Sequence, residues 1–248
     1  QVRKVRPCRR NFMTLAAAFR GPKGGVLLCS DQEWNDDSGS KREINKNYRI
    51  NLPQCSFFIS GSGPGSSVIV AWDEIHRRLW DASNAGKDLL SEHREILREA
   101  VLEVFNQYDA DFSYSPLSLL IMVAPRQPDR VPMMYYTEGK ALIPAPHYHA
   151  VGAGKQIADY FADRLYDPDR MDKKTLVALA AFILREVSAS SSGVGMGANM
   201  VFINEGEQAM HYITPGIIKE MQDGIPSLSD AVLSYWPGRL NFPEWYGS

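Results

Sequence analysis

The chain has 248 residues, of which 44% are hydrophobic and 23% charged, and a formal net charge of −2. Lysine and arginine total 27 against 29 acids, which leaves no basic field for a nucleic-acid backbone or an anionic membrane surface. The longest apolar runs, such as Leu117 to Ala124, fall far short of the ~20 residues that span a bilayer.

Three cysteines, Cys8, Cys29 and Cys55, give neither an even disulfide framework nor a Cys/His zinc spacing, so the expected compartment is the reducing cytoplasm. Residues 1–13 stand apart, because Arg3, Lys4, Arg6, Arg9 and Arg10 crowd a stretch without an acid. They read as a basic arm or propeptide, or as an upstream extension of a frame that starts at Met13. They are too short and too poor in serine for a transit peptide. Residues 14–248 are expected to form a single domain.

Thr14 to Phe19 leads through Gly21-Pro22-Lys23-Gly24-Gly25 into Val26 to Ser30, two apolar runs joined by a Gly/Pro turn, which predicts a β-hairpin. The alanines favour a helix, but six residues between an irregular arm and a turn are too few for one. Asp31 follows the second strand, and the polar stretch to Arg42 reads as a loop. Ile44 to Leu52 alternates weakly, and Cys55 to Ser60 is an apolar strand ending in Gly61-Ser62-Gly63-Pro64-Gly65. Val68, Ile69, Trp72, Ile75, His76 and Leu79 recur at helical spacing, as do Leu89, Leu90, Ile96, Leu97, Val101, Leu102 and Phe105. Leu117 to Ala124 and Val131 to Thr137 read as strands. Gly152-Ala153-Gly154 opens a helix with Ile157, Tyr160, Phe161 and Leu165 on one face. Asp172 is a candidate cap for the next, whose face is Leu176, Leu179, Ala180, Ile183, Leu184 and Val187. Asn199 to Ile203 and Met210 to Ile213 are closing strands. Helices in pairs between groups of strands do not suit a βαβ series, which wants one crossover helix between successive strands. Two antiparallel sheets packed face to face, with a helix pair on each outer side, suit the order.

Several familiar motifs fail on detail. Gly61-x-Gly63-x-Gly65 has its third glycine one position early for a dinucleotide fingerprint, and Pro64 removes an amide. Gly152-Ala153-Gly154-Lys155 lacks the first glycine and the Ser/Thr of a Walker loop. Ser38-x-x-Lys41 lies in a polar loop with no Ser-Asp-Asn or Lys-Thr-Gly partner. His147 and His149 have no third metal ligand nearby and read as loop or strand surface. The other histidines are isolated, which gives no Ser-His-Asp triad.

Thr14, Asp31, Lys46 and Gly61 remain as candidate catalytic residues. A strand threonine is a poor nucleophile unless a base sits beside it, and a free α-amine on the same residue is such a base, with a reference pKa near 7.7–8.0. A cation at Lys46 would lower the cost of the alkoxide, Asp31 would hold that lysine, and a Gly61 N–H would meet the developing oxyanion without a side chain in the way. Singly, these are a strand Thr, a turn Asp, a solvated Lys and a strand-ending Gly. Their order and spacing set them apart.

The sequence resembles the proteasome-type family of N-terminal-nucleophile hydrolases, which includes proteasome β subunits and the related ATP-dependent bacterial peptidase. The segments that carry the resemblance are Met13-Thr14-Leu-Ala-Ala-Ala-Phe-Arg20, Gly25-Val-Leu-Leu-Cys-Ser-Asp31, Ile44-Asn-Lys46-Asn-Tyr-Arg-Ile50, Phe58-Ile-Ser-Gly61-Ser-Gly63, Val151-Gly-Ala-Gly154 and Gly193-Val-Gly-Met-Gly197, all in family order. The resemblance implies an α+β fold, a four-layer αββα sandwich. It also implies a threonine peptidase whose terminal Thr14 forms an acyl-enzyme that water cleaves. The implied substrate is a peptide or unfolded protein, the implied assembly a homo-oligomeric ring, and no cofactor or metal is called for. An unfoldase partner and the ring size are not legible.

Several features depart from the family pattern: thirteen residues precede Thr14, and the spacing from Asp31 to Lys46 is about a residue shorter than usual. Met13 rather than glycine precedes Thr14, Ala153 stands where many members have a serine that assists the amine, and no second aspartate is found near Ser188 to Gly193, where Ser190, Ser191 or Ser192 could substitute. They keep two alternatives open: an inactive scaffold subunit of the same fold and a small-molecule amidase.

Overall fold

The computed structural model describes residues 14–35, 41–43, 46–63, 67–108, 117–127, 129–191, 194–195, 197–204 and 210–224. The basic arm 1–13, the Ser38-Gly39-Ser40 part of the Ser-x-x-Lys motif and Ser192 lie outside them. In chain order the elements are β1 (Leu15–Arg20), β2 (Val26–Asp31), β3 (Glu33–Asn35), β4 (Lys41–Glu43), β5 (Tyr48–Asn51), β6 (Cys55–Ser62), α1 (Ser67–Asn84) and α2 (Leu89–Tyr108). They continue as β7 (Ser118–Pro125), β8 (Met133–Glu138), β9 (Ala141–Pro144), β10 (Tyr148–Gly152), α3 (Lys155–Leu165), α4 (Lys173–Ser190), β11 (Ala198–Ile203), β12 (Met210–Ile213) and α5 (Pro215–Gly224).

One antiparallel sheet has the order β10-β1-β2-β11-β12, the other β5-β6-β7-β8-β9, and β3 pairs with β4 alone. The central strands β1, β2, β6 and β7 are buried on both faces, which is why they read as apolar runs rather than as alternation. Their side chains still alternate. Leu15, Ala17 and Phe19 of β1 join Leu176, Ala180 and Leu184 of α4 in one outer core, while Ala16 and Ala18 join Phe58, Leu120 and Met122 between the sheets. Phe57 and Ile59 of β6 face Ile75, Leu79, Leu97 and Val101 of α1 and α2 in the other outer core. The result is the four-layer αββα sandwich, with α5 added against α4.

The Asp172 cap is present, its Oδ1 accepting from the Thr175 amide at 2.7 Å. Three helix faces sit differently from the periodicity, and on α2 the departure is Leu102, which is exposed. On α1 the buried stripe is Val68, Ala71, Ile75, Leu79 and Ala82, with Ile69 exposed, and on α3 it is Ala158, Phe161 and Ala162, with Tyr160 and Leu165 exposed. Alanines let a helix approach a sheet closely, so the large residues fall to the rim. The end of β1 away from Thr14 is pinned by Arg20, whose guanidinium donates to the Pro132 carbonyl at 2.6 Å. No helix among the described residues is long and apolar enough to cross a membrane.

Candidate functional site

The β1–β2 ladder ends at the pair Ala16 and Ser30. One step further the Leu15 amide meets a side chain, donating to Asp31 Oδ1 at 3.0 Å. A second amide, that of Gly195 just before β11, donates to Asp31 Oδ2 at 3.1 Å. Two N–H groups from opposite ends of the chain thus fix the carboxylate, which is fully buried. Sequence alone gives no signal for the second of them, because its partner lies 164 residues away.

Lys46 reaches this carboxylate from the segment before β5, in the other sheet. Its Nζ lies 3.0 Å from each Asp31 oxygen and donates to Thr14 Oγ1 at 3.1 Å. The neighbouring residue reinforces the crossing, since the Ser30 hydroxyl of β2 donates to Asn47 Oδ1 at 3.2 Å. Thr14 and Lys46 are only 8% and 5% exposed, so the ammonium, hydroxyl and carboxylate meet in a largely dry space where such contacts are strong. Burial pushes the Asp31 carboxyl above its usual range, and Lys46 and the two amides oppose that rise. An ammonium that donates to a hydroxyl stabilises the corresponding alkoxide, which is the electrostatic half of a nucleophile's activation.

Gly61 lies in β6 opposite Leu119 of β7. Its absent Cβ would fall 2.6 Å from the Ser118 carbonyl oxygen and 2.9 Å from Leu119 Cδ2, toward the helix layer that Leu119 joins. Glycine at 61 therefore answers to packing between strands, a reason the sequence did not suggest. The next residue, Ser62, faces the opposite way.

The tightest crossing at the site is at Gly152, the last residue of β10, although its sequence context is that of a turn before a helix. A Cβ there would lie 1.8 Å from the Thr14 carbonyl oxygen, 2.8 Å from its carbon and 3.1 Å from Ser62 Cβ. Its φ of +103° is also one that side-chain-bearing residues rarely adopt. Gly152 thus brings β10, the start of β1 and the end of β6 together. Ala153 beside it is exposed. Ser191 caps α4, and the Ser188 hydroxyl is taken up by the Val194 carbonyl at 3.0 Å.

His149 is part of β10 and stacks on Tyr136 of β8, ring centroids 3.6 Å apart. Burial, with Lys155 nearby, pushes its imidazole down to about 4. His147 contributes its carbonyl, which accepts from the Arg20 amide at 2.6 Å. The two histidines do not converge.

The family model described as proteasome subunit matches residues 16–203. No curated protein matches the chain by sequence. Among solved structures, the Anbu (Gly-1) mutant from Hyphomicrobium sp. strain MC1 is similar at 16% identity and a TM-score of 0.73, covering 92% of this chain and 99% of its own. Anbu from Yersinia bercovieri, termed an ancestral β-subunit, has the same identity and TM-score and covers 91% and 97%. Anbu from Pseudomonas aeruginosa, solved as a helical assembly, is similar at 13% identity and a TM-score of 0.68, covering 92% and 98%. At such identities the likeness is one of fold.

Proposed function

The chain belongs to the proteasome subunit family, and from that premise we propose that it is a threonine peptidase with Thr14 as its N-terminal nucleophile. One observation carries the proposal: a single buried ammonium, Lys46 Nζ, bridges the Thr14 hydroxyl and both Asp31 oxygens. Removal of residues 1–13 frees the Thr14 amine. That amine takes the Oγ1 proton as the oxygen attacks the substrate carbonyl, with Lys46 offsetting the charge that builds on Oγ1. A Gly61 N–H receives the oxyanion. The amine then gives its proton to the leaving nitrogen, and water hydrolyses the ester. Asp31 holds Lys46 in place. No metal or organic cofactor enters these steps.

The proposed substrate is a peptide or unfolded protein, handled by a homo-oligomer in the cytoplasm. Ile69, Trp80, Leu102, Tyr160 and Leu165, exposed on three helices, support the assembly as apolar contact points between copies. The solved Anbu helical assembly is an oligomer of a protein with this fold.

Intact mass and N-terminal sequencing of protein purified without an N-terminal tag test the proposal. A chain beginning at Thr14 that cleaves fluorogenic peptides, with turnover abolished in Lys46→Ala, is the expected result. A chain retaining Met13 overturns it and favours the inactive scaffold, to which the alanine at 153 already points. Turnover of small amides but not of peptides favours an amidase.

A further inference from the structure

Asp31 and Lys46 serve the hydroxyl of Thr14, and neither explains how its amine is held. A base needs a fixed lone pair as well as a suitable pKa, because a neighbouring group must aim it at the proton it takes. Ala153 has no polar atom to offer, and Ser188 is engaged with Val194. The packing brings another hydroxyl-bearing side chain, that of Ser62, to the same crossing. Its Cβ and the Thr14 carbonyl group press on the same point, the absent Cβ of Gly152. That shared contact sets the Ser62 side chain near the Thr14 backbone, whose nitrogen is one Cα removed from the carbonyl that crowds Gly152.

Two further facts single this serine out. It is 7% exposed, and no described residue hydrogen-bonds its hydroxyl. A hydroxyl in such a place keeps both its lone pairs and its proton for a group at the site. Ser56, on the same face of the same strand, is satisfied by Asn51 at 3.0 Å. Ser60, two residues before Ser62, also lacks a partner but is fully enclosed. Ser62 is the one of the three at the Thr14–Gly152 crossing.

We propose that Ser62 is the positioning residue for the Thr14 amine: its Oγ accepts an N–H of that amine and turns the nitrogen lone pair toward Thr14 Oγ1. The inference rests on the threonine-peptidase assignment above. It assigns to β6 the task that the Gly152-Ala153-Gly154 turn cannot perform. Because an ammonium donates more strongly than a neutral amine, the bond favours the protonated form, and its loss lowers the amine pKa.

The test uses the mature chain, its start at Thr14 verified by mass. The α-amine is titrated by competitive labelling with acetic anhydride, read by mass spectrometry of the N-terminal peptide across pH 5–10, in wild type, Ser62→Ala, Ser62→Thr, Ser60→Ala and Ser191→Ala. Labelling reads the amine whether or not peptides turn over, which separates this inference from the assignment it rests on. The expected result is a lower amine pKa in Ser62→Ala alone, with kcat down about ten-fold, KM unchanged and the acid limb of kcat/KM displaced to lower pH, all restored by Ser62→Thr. An amine pKa in Ser62→Ala equal to wild type overturns the proposal. So does an equal shift in Ser60→Ala or Ser191→Ala. A chain that keeps residues before Thr14 sinks both the inference and the assignment, before Ser62 is altered.

Discussion

Replacing Gly152 by alanine separates two demands that the site makes on one residue. The first is conformational: at φ +103° an L side chain is strained by about 1–2 kcal/mol. The second is steric. The new methyl would start 1.8 Å from the Thr14 carbonyl oxygen, where real contacts stay beyond 3.0 Å, so the start of β1 must retreat by roughly 1 Å. Overpacking of this kind costs about 1–3 kcal/mol, for a total near 3 kcal/mol and a fall in Tm of roughly 10 °C in a chain of this size. A 1 Å misplacement of reacting groups costs about a hundred-fold in rate, so turnover of the folded variant should fall by about that factor as well. Gly139→Ala is the control, since it has a positive φ of +54° but nothing within 4 Å of the new methyl. It should show the strain alone, about 1 kcal/mol, with full turnover. Urea midpoints and initial rates for the pair decide the matter. If Gly152→Ala is no less stable than Gly139→Ala, or keeps turnover within three-fold of wild type, the crowding at Thr14 is not what requires glycine there.

Lys46→Met keeps the aliphatic stem and removes the charge that bridges Thr14 and Asp31. Peptide turnover should drop at least about a thousand-fold while the chain stays folded, destabilised by up to about 3 kcal/mol for the abandoned carboxylate. Loss of the ammonium raises Asp31 further, so the folded state holds a proton that the unfolded state releases. The variant's stability should therefore fall as pH rises from the ordinary aspartate range toward neutrality, more steeply than in wild type, as read from urea midpoints at pH 4.5 and 7.5. His149 has the opposite sign: its folded pKa, about 4, lies below the unfolded value, so the stability it supports is present above pH 6.5 and is lost as pH falls toward 4. His149→Phe, which retains a ring against Tyr136, should flatten that loss in midpoints compared at pH 7.5 and 4.5. Asp172→Ala removes the cap on α4 and should cost about 1 kcal/mol in a urea melt with peptide turnover unchanged, because the cap lies outside the site.

The parts of this molecule legible in its sequence are those where burial leaves a local mark. β1, β2, β6 and β7 are enclosed on both faces, so each wrote an apolar run that neighbouring turn residues bounded. α4 is sunk deeply enough that its stripe from Leu176 to Val187 is unbroken. Where packing depends on small residues, the marks mislead: α1 and α3 touch their sheets through Ala71, Ala82, Ala158 and Ala162, while Ile69, Tyr160 and Leu165, which carry the periodic signal, lie at the rim. Strands β9 and β10 are hard to read because they are short and Pro144 and Pro146 stand between their apolar residues, and β10 proves to be the strand against which Thr14 rests. The site followed the same rule. Lys46, Asp31 and Thr14 could be paired by chemistry, since a buried cation needs an anion and a nucleophile needs a charge beside it. The Gly195 amide and the Ser62 side chain could not, because a backbone N–H carries no residue-specific signal and a lone serine carries a weak one. What brings them to Thr14 is the seam between the two sheets, closed at Gly152 by the absence of a side chain, so the positions that complete the site are those at which the sequence has least to show.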